Sequence, residues 1–118
     1  MPSPLPDLAD DAAYVTDTPG GVALVGSRCR DCAAAAFPAR AVCYRCGGDA
    51  VERGPVGTAG RVYASTTVHV SSVRPTPYHL AYVDLDGDLR VLGRVDTATA
   101  PGDVVRVTGA GRDWSFAR

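Results

Sequence analysis

Residues 29–46 read CRDCAAAAFPARAVCYRC and contain all four cysteines of the chain, as two Cys-x-x-Cys pairs separated by ten residues. Each pair lets two thiolates converge on one ion from a tight turn, and two pairs supply the four sulfur ligands of a tetrahedral zinc. Gly47 follows the last cysteine, and glycine suits the positive φ that such a turn often needs. The stretch predicts a zinc site whose ligands are Cys29, Cys32, Cys43 and Cys46.

Two other uses of these thiols are possible. Four thiolates also bind iron, as in rubredoxin, and the residue types alone leave that alternative open. Disulfides in an exported domain are the second alternative, but the N-terminus MPSPLPDLADDAA has neither a basic start nor an apolar run. A reducing cytoplasm keeps thiols free for a metal, so we expect a cytoplasmic protein. Four protein ligands leave zinc no open position, which predicts a structural metal.

Composition excludes several classes of protein. A chain of 118 residues forms one domain or two very small ones. Its residues are 46% hydrophobic, but no run approaches the roughly 18 apolar residues of a membrane helix, so we expect a soluble protein. The net charge is −1, with 12 basic residues, all arginine, against 13 acidic ones. This balance lacks the basic excess that proteins usually need to bind nucleic acid phosphates.

The N-terminal half is predicted to hold an arm and a metal-binding ribbon. We assign residues 1–20 to an N-terminal arm, with one helical turn after Pro6, and residues 21–55 to the zinc ribbon. A short apolar run at 22–25, bounded by glycines, predicts a strand leading into the first cysteine pair. Residues 33–40, between the cysteine pairs, are expected to go out and back as a small hairpin.

The C-terminal half, residues 56–118, shows the alternation of β-strands. One face of the first strand is predicted to hold Val62, Ala64, Thr66, Val68 and Val70. Further strands are expected at 78–85, 89–95, 103–108 and 114–116, with Asp86-Gly87 as a hairpin turn. The sequence therefore predicts a mainly β protein, in which a rubredoxin-like zinc ribbon precedes a small OB-fold barrel of about five strands.

Catalytic groups are sparse. His69 and His79 are the only histidines, and neither has a nucleophile at meaningful spacing, so the chain is predicted to be non-catalytic. Arg74, close to Tyr78 on the first loop of the barrel, is a candidate phosphate contact, because guanidinium groups bind phosphates and OB barrels bind ligands through this loop. The alternative for Arg74 is a solvated loop arginine.

Several phrases carry a resemblance to a known family. They are CRDC at 29–32, FPAR at 37–40, CYRCG at 43–47, GRVY at 60–63, STTVH at 65–69, PYHLAYVDL at 77–85, VLGRV at 91–95 and PGDVV at 101–105. In these phrases the chain resembles the acyl-CoA-associated zinc-ribbon and OB-fold proteins, formerly a domain of unknown function. It departs from them at Ala33, where the family usually has glycine, and at Ala39, which replaces a proline.

The resemblance implies an accessory subunit, not an enzyme on its own. Its expected partner belongs to the thiolase superfamily, which includes thiolases, acyltransferases, hydroxymethylglutaryl-CoA synthases and retro-aldolases. The ribbon would dock on this partner, and the barrel would help to form its acyl-CoA site. Residues that we expect to contact acyl-CoA or the partner are Arg74, Tyr78, His79, His69, Phe37 and Arg40. The alternatives are a nucleic-acid-binding module and a rubredoxin-like electron carrier.

Overall fold

The chain is described by a computed structural model, which covers residues 13–85 and 89–118. These residues form nine β-strands: β1 (Val15–Thr18), β2 (Gly21–Cys29), β3 (Ala35–Ala36), β4 (Val51–Gly57), β5 (Ala59–Val68), β6 (Tyr78–Asp84), β7 (Arg90–Val95), β8 (Val104–Ala110) and β9 (Asp113–Ala117). Strands β1 to β4 form one sheet, and β5 to β9 form a closed barrel. The predicted mainly β fold, with a ribbon region before a five-stranded barrel, is confirmed.

The first sheet is built around β2. This strand pairs with β4 along one edge, from Leu24 to Cys29, and with β1 and β3 along the other. Strand β1 lies within residues 1–20, which were predicted to be an arm, so the end of that segment is part of the sheet. The proposed helical turn after Pro6 lies outside the described residues.

The hairpin expected at residues 33–40 is wrong. Ala35 and Ala36 instead form β3, which pairs with Arg28 and Ser27 of β2, and no strand is described between β3 and β4. The reason is local hydrogen bonding. The Cys29 N–H donates to the Ala34 carbonyl over 2.9 Å, and the Ala33 N–H donates to the Cys29 carbonyl over 2.9 Å. The first cysteine turn is therefore itself the hairpin that joins β2 to β3.

The barrel closes in the order β5-β6-β7-β9-β8, with β8 also paired to β5. Only the contact between β7 and β9, at Val95 and Phe116, is parallel. In the predicted strand at 89–95, Leu89, Val91 and Val95 are buried, while Leu92 is 48% exposed. The Leu85 N–H donates to the Leu89 carbonyl over 2.8 Å, which joins β6 to β7. The predicted turn residues, Asp86 and Gly87, lie outside the described residues.

The prediction that the alternating residues from Val62 to Val70 share one face of β5 is partly wrong. Val62 is buried opposite Val83, but the register with β6 shifts between Val62 and Ala64. A bulge inserts one extra residue, and one residue is enough to move the following side chains to the other face. Ala64 therefore lies opposite Tyr82 on the outside of the barrel. Val70 lies beyond the end of β5 and is 89% exposed.

A single hydrophobic core joins the sheet to the barrel. Val15, Leu24, Ala35 and Val56 of the first sheet belong to the same cluster as the buried side chains of the barrel. Aromatic rings continue this contact along an edge-to-face series, Tyr14 to Phe37 to Trp114 to Phe116, with centroid distances of 5.9, 5.3 and 5.3 Å. Phe37 lies between the cysteine pairs, so the metal-binding loop contacts the barrel directly.

Gly93 offers a test of this packing. A Cβ at this position would lie 2.7 Å from the Trp114 ring and 2.8 Å from the Phe116 ring. We expect Gly93→Ala to lower the free energy of unfolding by about 1–3 kcal/mol, the usual range for overpacking a filled core. Urea denaturation followed by far-ultraviolet circular dichroism measures this change. The control is Gly54→Ala on β4, where a Cβ meets nothing within 4 Å, and an equal loss in both variants would contradict the prediction.

Candidate metal centre and ligand-contact surface

The four cysteine sulfurs converge on one point. Cys29 ends β2, Cys32 lies in the turn to β3, and Cys43 and Cys46 lie in the loop before β4. All four Sγ atoms lie within 4.8 Å of one another. The Cys29 and Cys46 sulfurs are 3.7 Å apart, and those of Cys32 and Cys43 are 3.5 Å apart. The structure thus brings together every predicted metal ligand.

Backbone hydrogen bonds shape the second cysteine pair. The N–H groups of Arg45 and Cys46 donate to the Cys43 Sγ over 3.4 and 3.5 Å. The Gly47 N–H donates to the Cys43 carbonyl over 3.0 Å, and Gly47 has a φ of 74°. This positive φ confirms why glycine follows the last cysteine, since other residues adopt it at a cost.

The first pair makes the same kind of turn without glycine. Ala33 has a φ of 65°, and among the described residues it is the one non-glycine residue with a positive φ. An L-residue in this left-handed region is strained by roughly 1–2 kcal/mol, because its Cβ approaches the following carbonyl. The alanine noted in the sequence as a departure from the family thus lies where glycine would relieve strain.

The electrostatics of the cluster favour a cation. The N–H groups of Cys46 and Arg45 lower the pKa of the Cys43 thiol to about 6. The Gly48 N–H lowers the pKa of Cys46, but the neighbouring sulfurs of Cys29 and Cys43 outweigh it and raise that pKa to about 12. One thiolate therefore forms readily while further ones repel it. A bound cation removes this conflict by stabilising all four thiolates.

The sulfur positions fit a tetrahedral metal. Zinc bonded to four thiolates at about 2.3 Å has sulfur–sulfur edges of about 3.8 Å. The two distances of 3.7 and 3.5 Å in the structure are close to this value. A disulfide has its sulfurs at about 2.05 Å, and all four cysteines are free thiols here. The cluster therefore fits a metal site with four sulfur ligands, which leave no position open for substrate.

Phe37 and Arg40, the two predicted contact residues of the ribbon, differ in their exposure to solvent. Phe37 is half-buried, with its ring against Tyr14 and Trp114. The backbone N–H of Arg40 donates to the buried Ser27 hydroxyl over 2.9 Å, while the Arg40 side chain is exposed. Ser27 thus fixes the loop after Phe37 to β2 and leaves the Arg40 side chain in solvent.

The predicted contact residues of the barrel gather at the start of β6. The Arg74 guanidinium lies 5.5 Å from the centre of the Tyr78 ring, and the His79 Nδ1 is 2.9 Å from the Thr67 hydroxyl. Tyr78 and His79 line a polar cleft of about 250 Å³. His69 is exposed just beyond the end of β5. Three of the six predicted contacts are thereby placed together, and Phe37 and Arg40 belong to the ribbon.

Sequence reasoning missed the opposite wall of this cleft. Arg94, Asp96 and Ser115 line it together with Pro77 and the residues already named. Arg94 lies 3.6 Å from an Asp113 carboxylate oxygen, and the Asp96 carboxylate accepts from the Arg118 N–H over 3.1 Å. The sequence predicted a strand at 89–95, but only the pairing of β7 with β6 and β9 shows which residues Arg94 meets.

Comparison with protein-family models identifies both halves of the chain. Residues 23–52 match the model described as "ChsH2, rubredoxin-like zinc ribbon domain". Residues 54–110 match the model described as "ChsH2, C-terminal OB-fold domain". The chain belongs to the ChsH2 family of zinc-ribbon and OB-fold proteins. The resemblance stated from the sequence is confirmed, and the two matches cover the metal site and most of the barrel of this ChsH2-family chain.

Curated relatives of this ChsH2-family chain include subunits of an enzyme. It is 33% identical over 91 residues to the "Benzoylsuccinyl-CoA thiolase subunit BbsA" of Geobacter metallireducens, covering 73% of this chain and 62% of that protein. The BbsA of Thauera aromatica is 30% identical over 76 residues, covering 64% of this chain and 53% of that protein. A "DUF35 domain-containing scaffold protein" of Methanocaldococcus jannaschii is also 30% identical over 76 residues, covering 61% and 54%.

The ChsH2-family chain thus spans between 53% and 62% of the length of these relatives. Among solved structures, the "Ltp2-ChsH2(DUF35) aldolase" matches with a TM-score of 0.65 at 22% identity, over 80% of this chain and 84% of the matched chain. At this identity the match supports the fold alone. In the part of the chain that the structure describes, no helix has the length and apolar character needed to cross a membrane.

The strained turn gives a prediction for the metal site. We expect Ala33→Gly to tighten zinc binding about two- to fivefold. Glycine removes the backbone strain of the left-handed alanine, and this gain exceeds the entropic cost of ordering glycine by about 0.5–1 kcal/mol. Competition against a chromogenic zinc chelator measures the affinity. Ala39→Gly makes the same chemical change where φ is not positive. Weaker zinc binding by Ala33→Gly, or equal tightening in both variants, would show that the turn is not strained.

Proposed function

We propose that the chain is a non-catalytic accessory subunit of a thiolase-superfamily enzyme, and that it helps to form the acyl-CoA site of that enzyme. The observation that carries this proposal is the similarity over 73% of the chain to a protein named as a thiolase subunit. The partner's superfamily would include thiolases, acyltransferases, hydroxymethylglutaryl-CoA synthases and retro-aldolases.

The residues of the chain support an accessory role. Its four thiols are gathered in one cluster with no open coordination position, so none serves as a nucleophile. His79 lies within hydrogen-bond distance of the Thr67 hydroxyl. A histidine serves as a catalytic base when it activates a nucleophile, and we do not expect this threonine hydroxyl to be one. In this proposal the catalytic groups belong to the partner.

We propose zinc as the metal and the cytoplasm as the location. Four sulfur ligands within 4.8 Å of one another, with two of their distances near the edge of a zinc tetrahedron, fit a structural zinc, and free thiols of this kind persist in a reducing compartment. We also propose that the two parts have different roles: the ribbon at 21–55 acts as a docking element, and the barrel at 56–118 faces the ligand. Residues 1–20 precede both and contribute β1 to the ribbon sheet.

Co-purification tests the accessory role. We expect the full chain, expressed in its own host with an affinity tag, to retain a thiolase-superfamily protein and one zinc per chain. We expect Cys43→Ser to lose both, because a missing ligand leaves the loop between β3 and β4 without its main support. Mass spectrometry identifies the partner, and metal analysis identifies the ion. A coloured iron protein, or a complex that survives Cys43→Ser unchanged, would contradict the proposal.

Contact with acyl-CoA is assigned to the start of β6. Arg74 is exposed beside Tyr78, and with His79 it presents cationic and hydrogen-bonding groups suited to the phosphates of coenzyme A. We expect Arg74→Ala to raise the KM of the complex for acyl-CoA about tenfold or more, the effect of losing one charged hydrogen bond, with kcat little changed.

The control for this measurement is Arg106→Ala. Arg106 is an exposed arginine on β8, a strand that pairs with β5 and β9 and not with β6. Steady-state kinetics of the purified complex compare the two variants. An unchanged KM in Arg74→Ala, or an equal rise in both, would remove Arg74 from the acyl-CoA site while leaving the accessory role intact.

A further inference from the structure

The outer face of the barrel carries an apolar groove that the predicted site does not include. It is formed by β5, β6 and β7 and has a volume of about 300 Å³. We call it the β5–β7 face; its lining residues are Ala64, Ser65, Thr66, Leu80, Tyr82 and Leu92, with buried Ala81 beneath. The bulge in β5 creates this face, because it turns Ala64 outward beside Tyr82.

Large apolar side chains remain in water on this face. Tyr82 is 46% exposed and Leu92 is 48% exposed, and these two residues lie directly opposite each other on β6 and β7. Tyr63, next to the bulge, is 55% exposed. Contiguous apolar side chains on a sheet face mark an interaction surface more often than isolated ones do. In other OB barrels the face of the second and third strands binds oligonucleotides and oligosaccharides.

Two arginines at the edge of this face are paired with carboxylates. Arg90 donates to both carboxylate oxygens of Asp84, over 2.6 and 3.1 Å, and its guanidinium lies 3.5 Å from the centre of the Tyr63 ring. At the other end of β7, Arg94 is 3.6 Å from Asp113. Arg61 lies opposite Asp84 on β5 and donates to the Gly102 carbonyl, so the described rim holds three arginines and two carboxylates. This small cationic excess suits an apolar protein surface better than a nucleic acid.

The shape of the groove favours a macromolecule over a small ligand. Pockets for small molecules enclose most of the ligand surface and offer a few converging polar groups. Here the two largest lining residues stay about half exposed, and the lining is almost entirely apolar. An acyl chain lying on this face would keep much of its own surface in water.

We propose that the β5–β7 face is a docking surface, and that its occupant is an uncharged apolar patch on the thiolase-superfamily subunit. This inference rests on the proposed function and adds a second contact to the ribbon. Tyr82 and Leu92 form the centre of the contact, and the Arg90–Asp84 pair with Tyr63 forms one edge. Docking removes these side chains from water while leaving the paired charges at the rim solvated.

Substitution of Leu92 tests the proposal. The probe is the recombinant thiolase-superfamily protein identified by co-purification, titrated with the full zinc-loaded chain in a calorimeter. We expect Leu92→Glu to weaken binding at least tenfold, because docking would bury a carboxylate whose neighbouring arginines, Arg90 and Arg94, are already paired with other carboxylates. Leu92→Ile keeps the apolar surface and should bind within about threefold of the native chain. Circular dichroism and zinc content establish that each variant is folded.

The matched control lies on another strand of the barrel. Val104 of β8 is 55% exposed and does not line the groove, so Val104→Glu should bind as the native chain does. Tyr44→Glu, at a ribbon residue that is 55% exposed, tests the ribbon contact separately. Native-like binding by Leu92→Glu together with weak binding by Tyr44→Glu would overturn the inference and leave the proposed function standing.

Three other results would also overturn it. If the native chain fails to bind the partner, the proposed function fails and the inference fails with it. If the native chain is a dimer that Leu92→Glu converts to a monomer with unchanged partner binding, the face joins two copies of this chain. If Leu92→Glu removes binding to a single-stranded DNA oligonucleotide near physiological salt and leaves partner binding intact, the face binds nucleic acid.

Discussion

The convergence of four cysteine sulfurs is the constraint on which the N-terminal half depends. Between β3 and β4, the chain has no regular strand among the described residues, and the buried cluster around the metal ligands contains only Cys29, Ala34 and Cys43. So small a cluster cannot balance the entropy lost on ordering this loop. A metal held by four thiolates adds on the order of 10 kcal/mol at neutral pH and makes the loop rigid.

Rigidity of the loop matters because the loop contacts the barrel. Phe37, placed between the cysteine pairs, packs edge-to-face on Trp114 at 5.3 Å. Trp114 in turn fills the space above Gly93 on β7, where a side chain would not fit. The ring series thus connects the metal ligands to the strand that carries Leu92. The position of the ribbon relative to the barrel follows from this packing and from the shared core.

Some of these features could be predicted from the sequence and others could not. The spacing of the cysteines is visible in one short stretch of sequence, and period-two alternation is visible within each strand by itself. The metal ligands and the five barrel strands could therefore be predicted. Strand β4 was missed because its sequence, VERGPVG, contains glycine and proline, which are rare within strands. The bulge near Tyr63 was missed because it is defined by pairing with β6, and alternation counted along β5 alone cannot reveal an extra residue.

Strand β6 joins the two surfaces assigned in the barrel. Tyr78 and His79 line the polar cleft at its start, whereas Leu80 and Tyr82 line the apolar β5–β7 face. A strand rises by about 3.3 Å per residue, so His79 and Tyr82 are about 10 Å apart along it. Side chains alternate along a strand, so His79 lies on the opposite face of β6 from Tyr82, whereas Tyr78 shares a face with Leu80 and Tyr82 and lies where the two surfaces meet.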